Sequence, residues 1–186
     1  MRTSLTLSLA IAALAVLPGC SDDVAPKTAA VAERTDTQPS EQDRAWMRTI
    51  HQGNLAEVEA GRLAQGKGTT KQIKSLGQML VKDHTKLDTQ VTRTAQQLGV
   101  QLPTSMNVDQ RDELIRLQNV TGQDFDQDFL AGMAKAHRQA LAATKKEISG
   151  GTSQAVKALA AAAVPSLRKH MKAVHEAQGA TGTPSG

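Results

Sequence analysis

Aromatic residues and cysteine are scarce in this 186-residue chain, which has no Tyr, one Trp, two Phe and one Cys. Nucleic-acid-binding platforms of the RRM and OB types stack bases on exposed aromatic rings, so no nucleic-acid partner is expected. A single cysteine excludes a disulfide framework, a CxxC redox pair and a thiolate zinc site. Strong helix formers, chiefly Ala, Leu, Gln, Lys and Glu, are plentiful, so the composition predicts one all-α domain.

Residues 1–19 have the pattern of a signal peptide. Arg2 precedes an apolar run over residues 5–17, which is shorter than the ~20 residues of a membrane span. The run ends in Leu17-Pro18-Gly19-Cys20, which resembles a bacterial lipobox with Cys20 as the lipidation site. The resemblance implies an exported lipoprotein on the periplasmic side of the cell envelope, and Ser21 after the cysteine implies outer-membrane anchoring. An ordinary secreted protein with a chance cysteine is the alternative.

Both ends of the chain differ in composition from its middle. Residues 20–40 are expected to consist of the acylated Cys20 and a flexible tether, because the residues after the cysteine lack helical periodicity. Residues 41–177 are expected to fold, and the Gly- and Thr-rich residues 178–186 to form a disordered tail. The net charge of +4 is compatible with an envelope protein or an anionic lipid as a partner. The oligomeric state does not follow from these features.

Start and stop signals divide the middle of the chain into four long helices. Two antiparallel pairs joined by a long crossover between helices 2 and 3 predict a ferritin-like up-down four-helix bundle. A short helix is expected within the crossover. The expected signals are the Ser40 N-cap, Gly66-Lys67-Gly68, Thr69-Thr70, Gly99, a short helix over 107–118, the Asp124 cap, Gly150-Gly151, Thr152 or Ser153, and an end near Gln178.

Each long helix carries a polar group in the apolar stripe that would face the core. These are Glu57, His84, His137 together with Asp126, and His170. Because burying an unpaired carboxylate or imidazole costs several kcal/mol, such groups are expected to pair or to bind metal. Imidazole and carboxylate suit a divalent transition metal, so all five are candidate ligands, with a small core-bound ligand as a further possibility. The alternative is a metal-free Glu–His network that serves packing and helix register.

Axial register argues against one compact group. Counted from the hairpin turns, Glu57 and His84 are five or six residues out of step, about 8 Å at 1.5 Å per residue. His137 and His170 show a similar offset, so two smaller polar layers are expected. His51 and His175 lie off the core stripes and are expected to be solvated.

Two more specific kinds of metal chemistry are less well supported. Di-iron bundles use Glu-x-x-His on two helices, but Val81 and Leu167 stand where the Glu would precede His84 and His170. This argues against a ferroxidase or iron-storage site. Scattered methionines could suit copper(I), although methionine is a common filler of helical cores. No nucleophile–base pair or phosphate loop is found, so an enzyme is not predicted.

Four ordered motifs resemble a bacterial family of exported proteins that carry a domain of unknown function. They are Asn54-Leu55-Ala56-Glu57-Val58-Glu59-Ala60-Gly61-Arg62-Leu63-Ala64, Lys82-Asp83-His84-Thr85, Phe125-Asp126 with Phe129-Leu130, Met133 and His137, and Val164-Pro165-Ser166-Leu167-Arg168-Lys169-His170. The resemblance covers about residues 43–177. It implies a ferritin-like bundle, an outer-membrane or periplasmic location and the importance of Glu57, His84, Asp126, His137 and His170. It implies no reaction.

Overall fold

The computed structural model describes residues 38–181, which form five helices and no strand. The predicted signal peptide, Cys20 and nearly all of the tether lie outside the described residues. The prediction of an all-α bundle is confirmed. Within the described residues, no helix is long and apolar enough to cross a membrane. The helices are α1 (Glu41–Lys67), α2 (Lys71–Gln97), α3 (Val108–Asn119), α4 (Gly122–Gly150) and α5 (Gln154–Thr181).

Polar contacts at the two ends of the bundle define its topology. At one end, Asp43 in the first turn of α1 accepts hydrogen bonds from the backbone N–H groups of Thr152 and Ser153, just before α5. At the other end, the backbone N–H of Thr69, just after α1, donates to Asp126 near the start of α4. Thus α1 and α4 are antiparallel, and α2 and α4 run in the same direction. This is the predicted ferritin-like arrangement.

The crossover from α2 to α4 returns along the bundle and contains α3. Side chains of α1 hold it in place: Arg48 donates to the Gln101 carbonyl at 3.3 Å, and Lys67 donates to the Leu117 carbonyl at 3.1 Å. Leu114 and Leu117 of α3 are buried in the core. The short predicted helix is therefore a packed part of the domain.

Most of the predicted helix boundaries agree with the structure. Ser40 caps α1 in a reciprocal capping box with Asp43, and Thr70 caps α2. Gly99 has φ +65°, the left-handed conformation that favours glycine after a helix. Asp124 was wrongly predicted as the cap of α4, because the helix begins earlier, at Gly122. Its carboxylate lies in the first turn instead.

The predicted stripes form the core, and a polar layer interrupts it. Two separate clusters of buried apolar side chains fill the bundle, one toward each end. Along α1 the clusters are represented by Ile50 and Ala60, with Glu57 between them. Along α2, Leu87 and Leu80 flank His84 in the same way. The polar side chains of the long helices therefore lie in a layer near the middle of the bundle, between the two apolar clusters.

Candidate metal centre

Glu57, His84, His137 and His170 meet in this single polar layer, one from each long helix. The side chains are almost fully enclosed, with 6% exposure for Glu57 and no more than 2% for the three imidazoles. The expectation of two separate layers is wrong. The chain reverses direction close to Thr70 in the first helical hairpin and close to Ser153 in the second. Thr70 lies almost midway in sequence between Glu57 and His84, and Ser153 almost midway between His137 and His170. The two residues of each pair are therefore equally far from their turn and lie at the same level of the bundle.

The three imidazoles lie at ligand-like separations, with the carboxylate of Glu57 beside them. Glu57 Oε2 is 3.0 Å from His84 Nε2 and 3.4 Å from His137 Nδ1. His137 Nε2 is 3.1 Å from His170 Nδ1. One ring nitrogen from each of the three histidines lies within 4.8 Å of the others. Three ligand atoms about 2 Å from one ion would be separated by similar distances.

Asp126 does not join this group, which corrects its predicted place among the ligands. It lies eleven residues before His137 on α4, about 16 Å along the helix axis. Its carboxylate accepts hydrogen bonds from both the backbone N–H and the hydroxyl of Thr69. Asp126 is buried because it fastens the α1–α2 turn to the start of α4.

Each imidazole of the layer has one nitrogen against a protein oxygen outside the group. His84 Nδ1 lies 2.9 Å from Asn54 Oδ1, and His137 Nδ1 lies 3.0 Å from the Met133 carbonyl. His170 Nε2 lies 3.0 Å from Asp83 Oδ2. These oxygens accept hydrogen bonds, so each of these nitrogens is assigned a proton.

The orientation of Asn54 is itself fixed from outside the layer. Its side-chain Nδ2 donates to Asp88 Oδ1 at 3.4 Å, which turns the amide oxygen toward His84. Asp88 Oδ1 also lies 2.7 Å from His51 Nδ1, while His51 Nε2 lies 3.0 Å from the Pro103 carbonyl. His51 is buried rather than solvated as expected, whereas His175 is exposed as expected.

Because the outer nitrogens carry the protons, the inner ring nitrogens have free lone pairs that point into the layer. In neutral imidazoles with protonated outer nitrogens, His84 Nε2, His137 Nε2 and His170 Nδ1 are all acceptors. His84 Nε2 and Glu57 Oε2 are fully buried and, despite being 3.0 Å apart, form no aligned hydrogen bond. Buried acceptors that face one another need a shared cation, either a proton or a metal ion.

The pKa values in the layer favour an ionised Glu57 next to a protonated His84. Burial raises the pKa of Glu57, but the adjacent imidazoles of His84 and His137 outweigh it and lower this pKa from 4.5 to about 2. Burial lowers the pKa of His84, yet the charge of Glu57 prevails and raises it. Burial and the neighbouring imidazoles lower the pKa of His170 to about 4, although Asp83 opposes this shift. Glu57 is thus ionised and His170 neutral near pH 7.

Sequence reasoning identified the inner side chains but missed Asn54 and Asp83 as their partners. Both lay in the motifs quoted above, so a signal existed. Asn54 precedes Glu57 by three residues, nearly one helical turn, and Asp83 directly precedes His84. What could not be read was their orientation: Asp83 reaches His170 on α5, not its own neighbour.

An antiparallel four-helix bundle with ferritin-like connectivity and a buried Glu–His layer is the class of protein that the fold and this layer define. The chain belongs to the DUF4142 family, a domain of unknown function, whose model matches residues 28–177. A fragment of a DUF305 protein from Deinococcus radiodurans has a similar solved structure, with a TM-score of 0.69 and 14% identity. The match covers 77% of this chain and 99% of that one. No curated protein matches the chain.

Proposed function

We propose that this protein binds one divalent transition-metal ion through His84, His137 and His170, with Glu57 as the adjacent carboxylate ligand. The observation that carries the proposal is the convergence of three inner imidazole nitrogens while every outer nitrogen is held by a protein oxygen. Metal-ligating histidines in proteins have this arrangement, because the outer hydrogen bond fixes the tautomer and the direction of the free electron pair.

The ligand chemistry narrows the choice of ion. Three imidazoles and a carboxylate suit zinc, copper(II) and iron(II), and the centre offers no thiolate for a softer ion. Along the divalent series, affinity for such a set rises toward copper and falls again at zinc. Zn²⁺ and Cu²⁺ are therefore the ions expected to bind most tightly. Binding would release the proton shared by Glu57 and His84, because ligands bind metals in their deprotonated forms.

A metal titration of the full-length protein tests this proposal. We expect one Zn²⁺ per chain and, at a hundredfold excess over Kd, stabilisation by about 2.7 kcal/mol, which corresponds to a Tm increase of about 5–10 °C. His84→Ala and His137→Ala should abolish both effects. His175→Ala is the matched control, because His175 is exposed on α5.

Folding of the variants must be measured alongside, since alanine leaves a cavity in the layer. Helical circular dichroism and a cooperative unfolding transition would show that each variant remains folded; Glu57→Gln provides a variant of nearly constant volume. The proposal fails if the folded wild-type protein takes up no stoichiometric ion and its Tm is unchanged by Zn²⁺, Cu²⁺, Fe²⁺ and Mn²⁺.

A structural or interaction protein without metal is the second candidate. It is favoured by the charge pair of Glu57 and His84, which supplies a proton in place of an ion. In this case the layer would serve helix register alone, and the basic protein would contact envelope proteins or anionic lipid. Salt-sensitive binding to anionic vesicles together with a metal-free, metal-insensitive core would favour this second candidate.

The location of the protein is a further part of the proposal. We place it on the periplasmic side of the cell envelope, exported by residues 1–19 and anchored in the outer membrane through acylated Cys20. The support comes from the apolar run at 5–17 and the Leu-Pro-Gly-Cys sequence at 17–20. Residues 20–40 would then act as a tether for the bundle.

A further inference from the structure

The three outer partners of the imidazoles differ in their access to solvent. The Met133 carbonyl belongs to a residue of the apolar core, and Asn54 is only 1% exposed. Asp83 has a side chain that is 20% exposed and nevertheless touches His170 directly. Of the three outer partners, Asp83 is therefore the one that is exposed to solvent and also contacts a candidate metal ligand, His170.

A lysine covers this carboxylate on the solvent side. Lys169 Nζ lies 3.2 Å from Asp83 Oδ2, the same oxygen that contacts His170 Nε2 at 3.0 Å. The Lys169 side chain is 61% exposed, so water competes for its ammonium group and the pairing is weak. A cation that approaches this face would therefore contact the Asp83 carboxylate after displacing only the Lys169 ammonium group.

We infer that Asp83 is the first contact of the incoming metal ion and that Lys169 controls access to it, an inference that rests on the proposed metal centre. A divalent ion displaces the Lys169 ammonium from Asp83 and engages the carboxylate, which also weakens the tie between Asp83 and His170. His170 then has fewer hydrogen bonds to hold its ring in place. The ion passes this ring to reach the inner nitrogens of the three histidines.

A second route would start from a groove between α1 and α2. This groove has a volume of about 520 Å³ and includes Asn54, Asp88 and Arg93 in its lining. Asp88 is also partly exposed, but it contacts Asn54 and His51, so the buried amide of Asn54 separates it from His84 of the polar layer. The Asp83 route has no such intervening side chain and is therefore favoured.

Stopped-flow uptake of Co²⁺ by the full-length protein, followed by the cobalt absorption band, tests this route. At low ionic strength, Lys169→Gln should speed uptake about thirtyfold, the Coulomb effect of removing one unit charge about 4 Å from a divalent ion in water. Release of cobalt to a chelator should also accelerate, because the same passage serves both directions. Asp83→Asn should slow uptake severalfold.

Two matched controls remove a positive charge elsewhere. Lys172→Gln alters an exposed lysine of α5 that pairs with Glu176, and Arg93→Gln alters the α1–α2 groove. Each should change the rate much less than Lys169→Gln does, because its charge lies farther from Asp83. Equal rates for wild type and Lys169→Gln, or acceleration by Arg93→Gln alone, would overturn the route while stoichiometric cobalt binding left the metal centre standing. The complete absence of cobalt binding at equilibrium would overturn both proposals.

Discussion

At the scale of single residues, the chemistry of the polar layer depends on side chains outside it. Asn54 and Asp83 contribute no inner atom, yet each determines which nitrogen of its histidine carries a proton. The same imidazoles with free outer nitrogens would adopt mixtures of tautomers and ring orientations. A defined metal geometry therefore requires these partners as much as the ligands.

Asn54→Leu tests this dependence with little change in volume. Loss of the amide oxygen leaves His84 Nδ1 without its acceptor, so we expect Zn²⁺ affinity to fall about 10–100-fold. Calorimetric titration measures the change. Asn119→Leu is the control, because Asn119 is exposed at the end of α3 and bonds only within that helix. Unchanged affinity in folded Asn54→Leu would contradict a role in orienting His84.

A pair of buried carboxyl groups, Asp43 and Glu147, lies at the end of the bundle where α1 begins. Asp43 is held ionised by hydrogen bonds from Ser40 and Thr152, which outweigh burial and lower its pKa. Glu147 packs beside it, and burial together with the charge of Asp43 raises the pKa of Glu147 from 4.5 to about 7. Glu147 Oε1 is buried without a hydrogen-bond partner. Glu147 is therefore a source of pH-dependent stability.

The direction in which stability changes with pH follows from the protons that Glu147 binds in the folded and unfolded states. Between pH 4.5 and 7 the folded protein keeps a proton on Glu147 that the unfolded chain has released, so stability falls as pH rises through this range. Glu147→Gln removes this dependence and should stabilise the protein at pH 8 by up to about 3 kcal/mol. Urea unfolding at pH 5 and pH 8 measures it, with exposed Glu176→Gln as control. A variant less stable than wild type at pH 8 would refute this assignment.

At the scale of helices, the close approach of α1 and α2 brings Glu57 to His84. Two glycines make this approach possible: a Cβ on Gly77 would lie 2.5 Å from the Gly61 carbonyl oxygen and 2.9 Å from the Ala64 Cβ. A Cβ on Gly61 would meet the Gly77 carbonyl oxygen at 2.8 Å. Since these contacts involve backbone, the helices must separate if either position gains a side chain.

Gly77→Ala should therefore destabilise the protein by about 1–3 kcal/mol and weaken Zn²⁺ binding in parallel, because it shifts the two helices that carry Glu57 and His84. Thermal unfolding and metal titration measure the two effects. Gly53→Ala in α1 is the matched control: its Cβ would have no neighbour within 4 Å, so it should stabilise by about 0.5–1 kcal/mol. Equal effects of both substitutions would contradict the close-packing argument.

At the scale of the whole molecule, the polar layer divides one core into two apolar clusters. A sliding of one helix by a turn would place imidazoles among aliphatic side chains, where their hydrogen bonds could not form. The layer therefore gives the bundle a defined register, with or without an ion. The fold would tolerate changes of apolar side chains within either cluster better than the movement of one polar residue.

The proposed membrane attachment is tested at the scale of the whole chain. Cys20→Ser removes the only thiol, so the expressed protein should move from the membrane fraction to the periplasmic soluble fraction. Cell fractionation and metabolic labelling with a fatty acid measure this change, and Ser185→Ala serves as a neutral control. Wild-type protein that carries no lipid and fractionates as soluble would exclude the anchor.

The sequence by itself determined the helices, their order and the four inner residues. This is because caps and glycines are local signals and because a buried polar residue in an apolar stripe stands out at helical spacing. Only the tertiary structure decided that the four residues form one layer, that Asp126 lies apart, and that Asn54 and Asp83 hold the imidazoles. These outcomes depend on where each hairpin pivots and on which helix faces which, and a separation of about thirty residues along the chain does not encode a distance of 3 Å between side chains.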